Sequence, residues 1–413
     1  MDTGHDVVVI GGTGVDTTAY VPSLPLPYAD TYAVPPVIDR IGNTGSGVAL
    51  GCHALGLRVK LVDLIGDDPQ GRFVRAHFAE RGVDTGWALA PQGTRRSILL
   101  VGPDGRRTSL FDPRAAPGER LPRELYLDAV RAARHVHVSI TDFSRHVYSD
   151  LRTGSDLPTG SHPSADSDLR TGSDSRTEPG PGTGPDPSTG LEPSTGLEPS
   201  TGLEPATGTV PGAGIVLGGG SVSTDLHDWD GENDHHRDFA YSSDLIFLSA
   251  TALGPRRDEV MRDILERGRA RAVVCTEGAE GCRVLDADGF RGFPAAPLPG
   301  PVVDSNGAGD AFVSGVLYGL LSGRSLDDSI PLGAVAGAHA CTSAGTHENP
   351  IAEADLLLRA GGATGPARTA GPGQAAGPAQ TAGPGHVRGT RPAAGPVQAG
   401  GTGSAGEAAA HLP

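Results

Sequence analysis

Residues 302–312 read Val302-Val303-Asp304-Ser305-Asn306-Gly307-Ala308-Gly309-Asp310-Ala311-Phe312. Gly307 and Gly309 stand two apart, and a backbone without Cβ atoms lets a ligand come close. A helix begins directly after them, and its free N–H groups and dipole favour an anion such as phosphate. Asp310 lies at that helix start. Facing a phosphoryl group in transfer, its carboxylate can take the proton of an attacking hydroxyl, a contribution of roughly 10²–10⁴-fold. The same residues also fit an aspartate that caps a helix after a glycine turn, and the local sequence leaves both readings open. A second stretch, His227-Asp228-Trp229-Asp230 with His235, His236 and Asp238, is rich in metal-ligand types. No histidine pair there is four residues apart and the run follows a strand, so it reads as a solvated loop and no metal set is assigned. Gly12-Thr13-Gly14-Val15-Asp16-Thr17 lacks the third glycine of a dinucleotide fingerprint. Arg95-Arg96 and Arg106-Arg107 read either as a charged strand edge or as a source of one phosphate contact.

These residues need a scaffold, and the hydrophobic pattern supplies one. Residues 6–10, Asp-Val-Val-Val-Ile, form an apolar run ending in two glycines, as in a buried parallel strand. Helices are expected over 45–57, 69–81, 122–133, 258–267, 308–321 and 327–343, with Pro69 at the start of the second. Strands are expected over 58–65, 135–140, 221–226, 244–248 and 271–276. Pro103-Asp104-Gly105 joins 97–101 to 107–111 as a hairpin, and 282–285 with 290–293 forms another. The βα alternation predicts an α/β fold with a mostly parallel central sheet flanked by helices. Residues 15–40 and 87–111 break the alternation and are expected to form a small β lid over one end.

Composition narrows the chemistry. Lys60 is the single lysine among 33 basic residues. It sits in a strand pattern without a preceding glycine-rich loop, which excludes a P-loop, a protein-kinase lysine and a pyridoxal Schiff base. The net charge of −16 argues against a nucleic-acid or anionic-membrane partner. No apolar run reaches the roughly 18–20 residues that span a bilayer, and Met1 to Asp6 has no basic region of a signal peptide. The four cysteines lack CxxC spacing and read as reduced core thiols, so a cytoplasmic location is expected. Gly and Pro together reach 97 residues, and much of this excess falls in two segments. Residues 151–220 carry short repeats, Thr-Gly-Leu-Glu-Pro three times among them, and residues 360–413 are rich in Gly, Ala and Pro. Both are expected to be disordered, an insertion and a tail. About 290 residues remain, an ordinary size for one large α/β domain formed by 1–150 and 221–359.

Asp304-Ser305-Asn306-Gly307-Ala308-Gly309-Asp310 resembles the C-terminal signature of the ribokinase/PfkB family of carbohydrate and nucleoside kinases. Gly42-Asn43-Thr44-Gly45-Ser46-Gly47-Val48-Ala49, followed by Gly66-Asp67-Asp68 and Gly71, resembles the family's first signature. Asp16 after the first strand matches a third element. The resemblance implies a ribokinase-like fold and ATP-dependent phosphorylation of a sugar or sugar-like hydroxyl. It implies Asp310 as general base and Gly307, Ala308 and Gly309 as the anion hole. Asp16, Gly42 and Asn43 would line the acceptor pocket, and Thr276, Glu277 and Gly278 the nucleotide side. Mg2+ would accompany ATP, a monovalent cation would sit near Asp304, and lid strands would pair two copies into a homodimer. Three departures stand out. Gly47 occupies a position that is usually Asn. Ser249-Ala250-Thr251-Ala252 lacks the Glu of the usual Asn-x-x-Glu that orients magnesium. Asn306 replaces a small residue or Thr. A binding protein without turnover and a nucleoside kinase are the alternatives on the same scaffold.

Overall fold

Strand β1 (Val7–Ile10) shows why helices must cover both faces of the sheet. All four residues are buried, and they alternate between two cores: Val7 and Val9 pack in one cluster, Val8 and Ile10 in the other. A strand apolar on both sides needs cover on both sides. The computed structural model describes residues 4–152, 220–345 and 347–361. These belong to one compact unit, residues 1–369.

Along the chain, β1 is followed by β2 (Gly14–Tyr20), β3 (Ile38–Gly42), α1 (Thr44–Ala54), β4 (Val59–Ile65), α2 (Pro69–Glu80) and β5 (Asp84–Leu89). Then come β6 (Arg96–Val101), β7 (Arg107–Asp112), α3 (Arg123–Ala132), β8 (His135–Val138) and α4 (Val147–Arg152). The second half holds β9 (Ser221–Asp225), α5 (Asp234–Ser242), β10 (Leu245–Ser249), α6 (Arg257–Arg267), β11 (Ala272–Thr276), β12 (Cys282–Asp286) and β13 (Gly289–Phe293). It closes with α7 (Ala308–Leu321), α8 (Leu326–Ala340) and α9 (Glu353–Ala360). The main sheet has nine strands in the order β13-β12-β11-β10-β9-β8-β1-β4-β5. It is parallel from β5 to β11, and β12 and β13 add an antiparallel hairpin at one edge.

The small sheet is separate, four strands in the order β3-β2-β6-β7. The expected lid segment 87–111 is divided by the structure. Trp87 and Leu89 belong to β5 at the edge of the main sheet, paired with Asp63 and Ile65, and the lid strand begins at Arg96. The expected loop at His227–Asp238 also differs, because His235, His236 and Asp238 lie on α5, capped by the Asn233 side chain. The repetitive insertion read over 151–220 lies outside the described residues except at Leu151, Arg152 and Gly220. The tail read over 360–413 does so except at Ala360 and Gly361.

One buried ion pair anchors the lid. Arg95, just before β6, reaches Asp63 of β4 at 2.5 Å and donates twice to the Thr13 carbonyl. Thr13 N–H donates to the same Asp63 carboxylate at 2.7 Å. Both lid strands that leave the main sheet are therefore tied to β4 at their roots. Asp68 adds a second tie: its carboxylate caps α2 through Gly71 N–H and accepts from Thr94 N–H, each at 2.7 Å. Helices α1 and α7 lie in the interior and are buried nearly throughout. Small residues allow their contact, since a Cβ at Gly51 would stand 2.7 Å from the Ser314 Cβ. No helix among the described residues is long and apolar enough to cross a membrane.

Candidate active site

Gly307 stands at φ 77° as the residue before α7, a left-handed backbone that glycine adopts without strain. That turn aims the first amides of α7 out of the helix. Ala311 N–H makes the first i,i−4 bond, to the Gly307 carbonyl at 3.0 Å, and Ala308 N–H reaches the Ser305 carbonyl at 3.3 Å. The Gly309 and Asp310 amides meet no acceptor among the described residues. The loop before the turn is fixed: Val303 N–H bonds the Cys341 carbonyl at 2.8 Å, and Asp304 accepts from Asn306 N–H at 2.9 Å. Open amides at a helix N-terminus form a ready anion site.

Asp310 follows in the first turn of α7, 7% exposed. Burial pushes its carboxyl well above the ordinary aspartate range. The negative charges of Asp225 and Asp16 push the same way, and Arg107 opposes them. Asp16, 4% exposed on β2, is pushed up to about 6, again chiefly by burial. Hydrogen bonds from Ser97 and Asn306 and the charge of Arg107 hold it from rising further. Two carboxylates with displaced ionisation, one on the lid and one at a helix start, make this cluster the candidate site.

The neighbours explain the glycines. A Cβ at Gly42 would sit 2.5 Å from the Asp16 Oδ2, so β3 passes Asp16 only as glycine. Asn43 has φ 67°, and its buried Nδ2 has no hydrogen-bond partner. A Cβ at Gly47 would lie 2.6 Å from the Asp310 Cβ and 2.7 Å from the His347 Nδ1. Asp16, Gly42, Asn43, Gly47, Asn306 and Asp310 thus share one cluster. The Thr276–Gly278 turn does not join it through any hydrogen bond or ion pair among the described residues. Thr276 stands level with Ser249 at the carboxyl end of the sheet, the edge where parallel sheets bind ligands. Glu277 is ion-paired with Arg257, and Gly278 has φ 59°.

Residue types alone missed several members. His347 and Glu348 arrive from the irregular segment after α8, and Asp225 ends β9. The arginine ambiguity resolves by position. Arg95 is the buried lid anchor and Arg106 pairs with Asp104. Arg107 is exposed on β7 and acts on both Asp16 and Asp310. Strand register puts Ser97 opposite both Asp16 and Phe111, so Arg107, Ser109 and Phe111 line the lid face that carries Asp16.

A nine-stranded α/β sheet with a small lid sheet thus carries a buried aspartate at a glycine-turn helix start. The sequence pattern of the pfkB family of carbohydrate kinases matches residues 5–151 and 247–353. The chain belongs to that family. It is 41% identical over 360 residues to the acarbose 7(IV)-phosphotransferase of an Actinoplanes species, covering 86% of this chain and 99% of that protein. Among solved structures, a microbiome-derived acarbose kinase superposes with a TM-score of 0.67 at 34% identity, over 87% of this chain and 100% of that one. Arabidopsis thaliana ribokinase complexed with ribose and ATP has a TM-score of 0.60 at 14% identity, over 87% and 99%, a likeness of fold. The protein is a kinase that transfers phosphate to a sugar hydroxyl.

Proposed function

We propose that the chain uses ATP to phosphorylate one hydroxyl of acarbose or a closely similar sugar-like molecule, with Asp310 as general base. The observation that carries the reading is the buried Asp310 carboxylate, set in the first turn of α7 and within the field of Asp16 on the lid. A carboxyl raised by burial is a stronger base than an ordinary aspartate once ionised, which suits removal of a hydroxyl proton as phosphoryl transfer proceeds. The Gly307–Ala308–Gly309 turn would stabilise the charge on the transferred group. Its open Gly309 amide is the better donor, because Ala308 N–H is already drawn to Ser305. Asp16 and Asn43 would hold acceptor hydroxyls, with Gly42 keeping space for Asp16. Thr276, Glu277 and Gly278 would border the nucleotide.

The proposed donor is MgATP, with the metal entering as part of the nucleotide. The hydroxyls of Ser249, the last residue of β10, and Thr251 bond each other at 2.8 Å, and Ser249-Ala250-Thr251-Ala252 holds no acid. Among the described residues no group of three or more His, Cys, Asp or Glu side chains is suited to a metal, so no step is assigned to a protein-held ion. That lack of an acid favours a second reading, a sugar-binding protein without turnover.

One panel separates the two. ADP release is measured with acarbose, simple sugars and nucleosides as acceptors. Turnover on acarbose supports the proposal, and turnover on nucleosides alone refutes its substrate class. Ligand-dependent thermal shifts without ADP release on any acceptor establish the binding protein. The outer lid face, where Ile98 and Leu110 are 45% and 56% exposed, is the proposed surface for pairing two copies. A sedimentation coefficient of a monomer at micromolar protein refutes that pairing.

A further inference from the structure

Gly47 and His347 lie 300 residues apart and share one volume. A Cβ at Gly47 would come within 2.7 Å of the His347 Nδ1, so the glycine makes room for the imidazole. The ring is nearly sealed, its side chain 4% exposed. Its Nε2 lies 3.2 Å from the Asn43 carbonyl and 3.7 Å from the Asp310 Oδ2. A carbonyl only accepts, so the proton of the ring sits on Nε2, facing the Asp310 carboxylate as well. The backbone that carries the ring is also held. His347 N–H donates to the Glu348 carboxylate at 3.1 Å, and Glu348 pairs with Arg40 of β3 at 3.3 Å. A continuous chain therefore runs from the lid through Glu348 and His347 to Asp310.

We infer that His347 is the positioning residue of the general base: it fixes the Asp310 carboxylate and favours its ionised form. The inference rests on Asp310 being the base. Asp310 is otherwise faced by two acids, Asp16 from β2 and Asp225 from the end of β9, and by one cation, Arg107 from β7. His347 itself is faced by Asp310 and by Glu348, whose charge Arg40 already engages. Without the imidazole, Asp310 keeps its acidic neighbours and loses the Nε2–H that faces its carboxylate at 3.7 Å. The Nε2–H that faces the carboxylate favours its ionised form, and the ring once doubly protonated adds an opposite charge, which within about 4–6 Å lowers a carboxyl by roughly one to three pH units. Removing the ring therefore makes Asp310 harder to ionise.

The test uses the full chain with His347→Ala and His347→Gln, assayed with MgATP and the acceptor that the panel selects. Both variants are expected to lose about tenfold or more in kcat at pH 7 with the KM for ATP unchanged. The acid limb of kcat/KM is expected to move up by about one pH unit. Gln keeps a donor for the Asn43 carbonyl without a charge, so it regains kcat at alkaline pH while its acid limb stays displaced. An unmoved acid limb in both variants overturns the inference. A second measurement needs no turnover: the His347 ring proton resonance, assigned by its loss in His347→Gln, is titrated in wild type and in Asp310→Asn. The imidazole is expected to lose its proton at lower pH in Asp310→Asn, and identical titrations overturn the inference. A displaced titration in a protein that phosphorylates no acceptor would instead sink the kinase reading while leaving the contact intact.

Discussion

At the scale of single residues, burial displaces two carboxyls, those of Asp310 and Asp16. Asp310 must be ionised to act as a base, and its carboxyl is raised well above the usual range. Activity should therefore rise with pH through a limb well above the roughly 3.9 of a free aspartate. Asp16→Asn removes one of the negative charges that raise Asp310. It should move that limb to lower pH while raising the KM for the acceptor, both read from pH–rate profiles. A limb that stays in place would show that Asp16 does not act on Asp310. The place of Asp310 in the first turn of a helix was legible, because the glycine turn lies beside it in the chain. Gly42 was singled out only through the family likeness, and the physical reason for a glycine there, the Asp16 carboxylate, required the β2–β3 register. His347 was not legible. Nothing local ties Gly345-Thr346-His347-Glu348 to Asp310, 37 residues earlier, and the one trace was the unusual glycine at 47.

At the scale of elements, the lid is held by a buried charge cluster as well as by its strands. Arg95→Ala would leave Asp63, fully buried, without its cation. Breaking a buried pair from one side costs about 3–5 kcal/mol. Chemical denaturation should show a loss of that order, together with weaker acceptor binding as the lid root loosens. Stability within 1 kcal/mol of wild type, a value typical of exposed pairs, would show that the cluster does not anchor the lid. Most strands and helices were readable from apolar runs and glycine or proline punctuation. β5 was not, since Asp84-Thr85-Gly86-Trp87-Ala88-Leu89 carries little apolar character and pairs along one side only. Helix α5 was hidden by its own polarity: Asp238 is exposed and His235 and His236 are half-buried, while only Phe239 and Ala240 are buried.

At the scale of the whole molecule, the sheet carries a titration of its own. His135 and His137 are both fully buried on β8 and share the Ser223 hydroxyl, at 2.7 and 2.9 Å. Burial holds each down to about 3. The fold therefore keeps them neutral, whereas an unfolded chain takes up protons below about 6.5. The stability they lend is present above that value and is lost as pH falls toward 3. Melting temperature should fall between pH 7 and pH 5, and His137→Gln should flatten that dependence. An equal slope in the variant would assign the acid sensitivity elsewhere. The repetitive segment 153–219 lies between α4 and β9, and β8 and β9 are parallel neighbours. Replacing it with a linker of about ten residues should leave kcat within twofold, because connections of that order suffice in α/β units. A large loss would give the segment a role in turnover.

The central claim is that Asp310 removes the acceptor proton. The direct measurement is phosphorylation of acarbose by Asp310→Asn with MgATP, alongside acceptor binding by calorimetry. The variant is expected to fold and bind acceptor, with turnover lower by roughly 10²–10⁴-fold. Turnover equal to wild type would contradict the claim.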